Sequence, residues 1–176
     1  MNAANILKYF LEKNILKISK KEIIKIAYLI GSDVNLGMYS NSLVLKSNNK
    51  IKEFLDIRKI YILIVKPNFG CSTKKIYSEV KNFRKSKFNY PSKRMFKFSF
   101  LKRMRNDLEL IAFKQYPKLN VLKIFLNELS NVKFVRMTGS GSAVIAYFSS
   151  IKLCKDAEKK VRKQFKNYWC KAAKTI

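Results

Sequence analysis

The chain has 176 residues, 48% of them hydrophobic, enough to give a core to one domain, or to one domain and part of another. Its 38 Lys and Arg against 11 Asp and Glu set the formal charge at +27, which favours phosphate-bearing partners: nucleic acid, an anionic membrane surface or small phosphorylated substrates. There is no histidine, so any mechanism that needs an imidazole base, shuttle or metal ligand is excluded.

Ile6, Leu7, Phe10 and Leu11 recur at helical spacing and predict a helix from about Ala3 to Lys13. Ser19 with Glu22 forms a capping-box pattern before Ile23, Ile26, Ala27 and Ile30, so a second helix is expected to begin there and to stop at Gly31. The segment Gly31-Ser32-Asp33-Val34-Asn35 reads as a loop, Ser42 to Lys46 as a short strand, and the polar stretch Ser47 to Lys52 as a boundary. Ile60 to Lys66 predicts a strand ended by Pro67, and Ser72 can cap a helix reaching about Lys81. Asn106 with Glu109 suggests another capped helix running to Tyr116, and Val121, Leu122, Phe125, Leu126 and Leu129 mark the next. Phe134 to Met137 and Val144 to Phe148 read as strands on either side of a glycine-serine turn. Ala157, Val161 and Phe165 then mark a helix, and Tyr168 to Ala173 a closing strand. Strand, helices, strand, strand, helix, strand is the split βαβ order of α+β, ferredoxin-like folds.

Cys71, Cys154 and Cys170 are an odd number without CxxC spacing, so reduced thiols are expected rather than disulfides or a zinc site. The longest clean apolar run, Ile60 to Val65, falls far short of the roughly 20 residues a spanning helix needs. No basic stretch precedes an apolar one at the start, and a cytoplasmic, membrane-free protein is the expectation.

Three features could carry chemistry. Between Lys81 and Arg105, eight further cations alternate with Phe83, Phe88, Tyr90, Phe96, Phe98 and Phe100 without a single acid. Such a stretch could hold the backbone and stack the bases of RNA or another polyanion, or Phe96, Phe98 and Phe100 could be the buried face of a strand among solvated lysines. Thr138-Gly139-Ser140-Gly141-Ser142 has the small residues that let backbone N–H groups approach phosphate oxygens, and equally those of a plain hairpin connection. Asp33, after the helix-ending Gly31, is placed either to take a proton from an attacking hydroxyl or to bind its own turn backbone.

Taken together, these segments resemble the GHMP family of small-molecule kinases. Within that family they resemble the branch that phosphorylates the 2-hydroxyl of 4-diphosphocytidyl-2-C-methyl-D-erythritol in non-mevalonate isoprenoid synthesis. Asn2-Ala3-Ala4 matches the residues that directly follow the family's glycine-rich ATP loop, and Gly31-Ser32-Asp33-Val34 resembles its GSDV segment. Lys66-Pro67 with Gly70 and Ser72-Thr73 resembles the stretch that opens the family's C-terminal domain; Asn106 to Glu109 with Tyr116-Pro117, and Met137 to Ala143, match two later motifs. The resemblance implies Asp33 as catalytic base. It further implies Asn2, Thr138, Gly139, Ser140, Gly141 and Ser142 lining a nucleotide and substrate cleft, with ATP and Mg2+ as cofactors. It also implies that residues 1–52 are a remnant of the family's N-terminal domain and 53–176 its ferredoxin-like C-terminal domain. The catalytic lysine and the glycine-rich ATP loop have no counterpart here, and Asn35 stands where the family has proline. A chain of this kind is expected to be nearly inactive alone, either as the remnant of a split or truncated gene or as the partner of a separately made N-terminal half, and to leave apolar surface uncovered on residues 1–52.

Overall fold

The computed structural model describes residues 2–46, 50–82, 88 and 90–175, with the side chain of Asn2 excepted. The chain divides into two compact units, the first built on the residues up to Ile57 and the second on Arg58–Lys85 and Ser92–Thr175.

The first unit opens with α1 (Asn2–Glu12), α2 (Lys20–Ile30) and α3 (Ser32–Gly37). The Ser19 hydroxyl accepts from Glu22 N while the Glu22 carboxylate accepts from Ser19 N, so the expected capping box starts α2. Ala4, Ala27 and Val34 form a small buried cluster with Ala3, Leu7 and Met38 packed around it. Two alanines at its centre let the helices approach closely. Strand β1 (Ser42–Leu45) then pairs antiparallel with β2 (Ile51–Phe54), Leu45 opposite Ile51, a strand that sequence patterning does not announce. The first unit therefore takes in β2 and runs to Ile57, beyond the Lys52 at which the sequence reading ended the first segment.

The second unit is a four-stranded antiparallel sheet in the order β4-β5-β3-β6, made of β3 (Tyr61–Lys66), β4 (Phe134–Met137), β5 (Val144–Phe148) and β6 (Trp169–Lys174). This is the order of the split βαβ fold. Burial alternates along β5, with Val144, Ala146 and Phe148 buried, so one face of the sheet carries the core. Helices α4 (Thr73–Ser78), α6 (Glu109–Gln115), α7 (Pro117–Glu128) and α8 (Ile151–Gln164) meet that face through Ile76, Ala112, Leu122, Leu126, Ala157 and Val161. Phe96, Phe98 and Phe100 lie on no strand: a 3-10 turn over Lys93–Phe96 and the short α5 (Phe98–Leu101) carry them, all half-buried. Among the described residues no helix is long and apolar enough to cross a membrane.

Candidate functional site

The loop Thr138–Ser142 joins β4 to β5, with Thr138 N donating to Ala143 O at 2.9 Å and Gly141 N to Thr138 O at 3.0 Å. Three parts of the second unit converge on it. Asn106 Nδ2 donates to Met137 O at 3.0 Å and to Gly139 O at 2.8 Å, while Asn106 Oδ1 accepts from Leu108 N at 3.1 Å. Ser140 and Thr73 share a hydrogen bond between their hydroxyls at 2.8 Å. The buried Ser142 hydroxyl donates to Phe69 O at 2.7 Å. Tyr116 completes the frame, its hydroxyl accepting from Ser72 N at 3.0 Å and its ring stacked on Phe69. The stretches around Lys66-Pro67, Asn106, Tyr116-Pro117 and Met137, singled out separately in the sequence, thus meet at one loop.

Gly139 and Gly141 have φ of 54° and 91°, in the left-handed region where a side chain is strained. At Gly141 there is also no room: a Cβ would sit 3.1 Å from both Cys71 Sγ and Met137 Sδ. Among the described residues the N–H groups of Gly139 and Ser140 have no acceptor, and two successive free N–H groups are what an anion-binding nest offers. A hollow of about 350 Å³, bounded by Arg105, Asn106, Thr138 and Gly139, lies beside them. Of the five predicted loop residues, Thr138 and Gly139 are exposed, Ser140 and Gly141 half-buried, and Ser142 is committed to holding the loop.

Asp33 and Asn2 belong to the first unit. The expected loop around Asp33 is instead the short helix α3: Val34 N and Asn35 N both donate to Gly31 O, which places the exposed Asp33 in the first turn. Asn35 is buried, and its Oδ1 has no hydrogen-bond partner among the described residues. Asn2 opens α1; its side chain lies outside the described residues.

Two residues of the motif Asn106 to Glu109 act otherwise than a capped helix start predicts. Asn106 was expected to cap a helix together with Glu109. It grips the glycine loop instead, and α6 begins at Glu109 without a side-chain cap. Glu109 is buried and pairs with Lys123, whose ammonium also lies over the Phe113 ring. The free cysteines are core thiols: burial pushes Cys71 and Cys170 up, and Cys154 up to about 11. No group of three His, Cys, Asp or Glu side chains among the described residues is placed to hold a metal ion.

In the basic-aromatic segment, residues 83–87 and 89 lie outside the described residues. Phe98 packs edge-on against Phe134, and Arg103 lies over Phe100, so these rings are engaged within the chain rather than offered for stacking. Tyr90 is almost wholly exposed.

No family profile matches the chain. A 4-diphosphocytidyl-2-C-methyl-D-erythritol kinase of Pelagibacter ubique is 49% identical over 176 residues, all of this chain and 63% of the relative. Along its whole length the chain is similar to 4-diphosphocytidyl-2-C-methyl-D-erythritol kinase. Another kinase of that name, from Petrotoga mobilis, is 34% identical over 146 residues, 77% of this chain and 55% of that protein. The chain thus spans less than two thirds of the length of these relatives. A crystal structure of 4-(cytidine 5'-diphospho)-2C-methyl-D-erythritol kinase superposes with a TM-score of 0.76 at 18% identity, over 96% of this chain and 62% of that one. A homoserine kinase from Cytophaga hutchinsonii gives 0.64 at 14% identity, over 91% and 58%. These kinases share the fold of this chain.

Proposed function

We propose that this chain contributes to the transfer of the γ-phosphoryl group of ATP to the 2-hydroxyl of 4-diphosphocytidyl-2-C-methyl-D-erythritol, in the cytoplasm. The observation that carries the reading is the 49% identity to a kinase of that name along the whole of this chain. Asp33 accepts the proton of the attacking hydroxyl, the oxygen bonds to the γ-phosphorus, and the bond to the β-phosphate oxygen breaks, releasing ADP. The Gly139 and Ser140 N–H groups offer fixed donors to phosphate oxygens, aligned before the substrate arrives. Magnesium bound with the nucleotide would neutralise phosphate charge.

We further propose that the reaction needs a polypeptide supplying the rest of the relatives' length, in the same product or made separately. Ile6, Tyr9, Tyr28, Leu29 and Ile30 in the first unit are more than half exposed, and Leu29 reaches 83%. Apolar side chains left this open on helices favour a partner surface.

The test is a reconstituted pair: this chain with a polypeptide matching the remainder of the Pelagibacter relative. Asp33→Asn should lower kcat by roughly 10²- to 10⁴-fold with little change in KM. An unchanged kcat would remove Asp33 from the chemistry. Leu29→Asp with Ile30→Asp should abolish co-elution of the pair; retained co-elution would place the contact elsewhere.

A further inference from the structure

Within the second unit lies a larger cavity, about 510 Å³, that none of the residues assigned above to the reaction lines. Its wall carries five cations against two carboxylates. Two of the cations are engaged. Lys123 neutralises buried Glu109, and Arg136 donates to Leu101 O at 2.7 Å and to Met104 O, with its guanidinium over the Phe134 ring. The other three, Lys81, Lys102 and Arg105, are exposed and have no hydrogen-bond or ion-pair partner among the described residues. The rest of the wall is largely apolar, with Val80, Leu110 and Val135 prominent, and Leu110 is 81% exposed. Three uncommitted cations beside an apolar wall, in a cavity of the size that holds a small ligand, define the complement of an amphiphile.

We propose that this cavity binds a small phosphate or diphosphate ester with an apolar body, its phosphate on Lys81, Lys102 and Arg105 and its apolar portion against Val80, Leu110 and Val135. The cations supply charge-assisted hydrogen bonds, and the apolar wall distinguishes such an ester from inorganic phosphate. The cavity adjoins the hollow beside the glycine loop and shares Arg105 and Asn106 with it, but it is lined by neither Asp33 nor the loop residues Thr138 to Ser142.

The experiment uses the full chain at about 150 mM salt, where long-range attraction to its net charge is screened. The probes are n-hexyl phosphate and inorganic phosphate, followed by calorimetry and by methyl NMR shifts. Hexyl phosphate is expected to bind saturably and roughly tenfold tighter than inorganic phosphate, shifting the Leu110, Ile111 and Val135 methyls. The triple variant Lys81→Gln, Lys102→Gln, Arg105→Gln should weaken it roughly tenfold. The same charge removed at exposed Lys152, Lys155 and Lys159 should change it less than about twofold. Equal losses in both variants, no saturable binding, or shifts at methyls away from the cavity would overturn the proposal. The shift map uses the unaltered chain, so it decides the matter even if the triple variant fails to fold.

Discussion

Asn106 and Gly139 are joined by a 2.8 Å hydrogen bond from a side-chain amide to a backbone carbonyl 33 residues away. The same amide reaches Met137 O, and its oxygen holds the start of the next helical segment through Leu108 N. Asn106→Ala leaves three backbone groups without their partner and should cost about 1–3 kcal/mol. Asn106→Asp keeps the acceptor but faces two carbonyls with a carboxylate, so it should be worse than alanine. Chemical denaturation reads both, and amide exchange at Gly139 and Ser140 should accelerate beyond the global change. Equal stability of the two variants would show that the amide nitrogen does not hold the loop.

The two loop glycines should respond differently. Gly139→Ala meets open space and carries only the left-handed backbone penalty, roughly 1 kcal/mol. Gly141→Ala adds a crowded contact with Cys71 and Met137, and should cost roughly 2–3 kcal/mol. Introducing Cys71→Ala beside Gly141→Ala should return part of that loss. Thermal unfolding of the four proteins tests the coupling; additive effects would mean that backbone strain alone is responsible.

Glu109 and Lys123 are an unequal pair, because the lysine side chain keeps 29% of its surface in water and the carboxylate side chain 9%. Lys123→Met strands a buried charge and should destabilise by roughly 2–4 kcal/mol. Glu109→Gln leaves an ammonium that can turn toward solvent, and should cost about half as much. Urea midpoints compare them, and the reverse order would contradict the asymmetry.

Glu158 ties α8 to β6. Its carboxylate accepts from Arg162 Nη2 at 2.6 Å and from Ala172 N at 3.1 Å, and Arg162 Nη2 also donates to Cys170 O at 2.8 Å. Burial pulls the Glu158 carboxyl up, but the Arg162 and Ala172 donors outweigh it and hold it below the ordinary value. A carboxyl lowered in the folded state binds protons more readily once unfolded. Its contribution is therefore present above about pH 4.3 and fades as the pH falls through the folded-state value. The stability gap between the natural chain and Glu158→Gln should be widest near neutrality and close in acid. A gap that does not narrow with acidification would exclude ionised Glu158 as its source.

The parts of the fold legible in the sequence are those fixed by local rules. The Ser19–Glu22 box needs only two side chains one turn apart, and the strands Phe134–Met137 and Val144–Phe148 stand at their expected limits because the glycine-serine segment punctuates both. What failed depends on distant partners. Ile51–Phe54 is a strand only because Ser42–Leu45 lies alongside it. Glu109 matches a capping pattern, yet Lys123 draws its carboxylate inward. The alternating Phe96, Phe98 and Phe100 imitate a strand, whereas two short helical turns half-bury each ring. The glycine-serine turn and Asp33 stand out as candidates from their own residues, small side chains in a turn and a scarce acid after a glycine. The role of Asn106 required seeing which carbonyls its amide meets.

The open apolar side chains on the first two helices sit on a chain of +27, which sets two forces against each other. In dilute buffer, copies of the molecule repel before those side chains can touch. Concentrated salt shortens that repulsion to a few ångströms and leaves the sticky helices to act. This protein should therefore stay dispersed in weak electrolyte and cluster in strong, the reverse of proteins whose contacts are ionic.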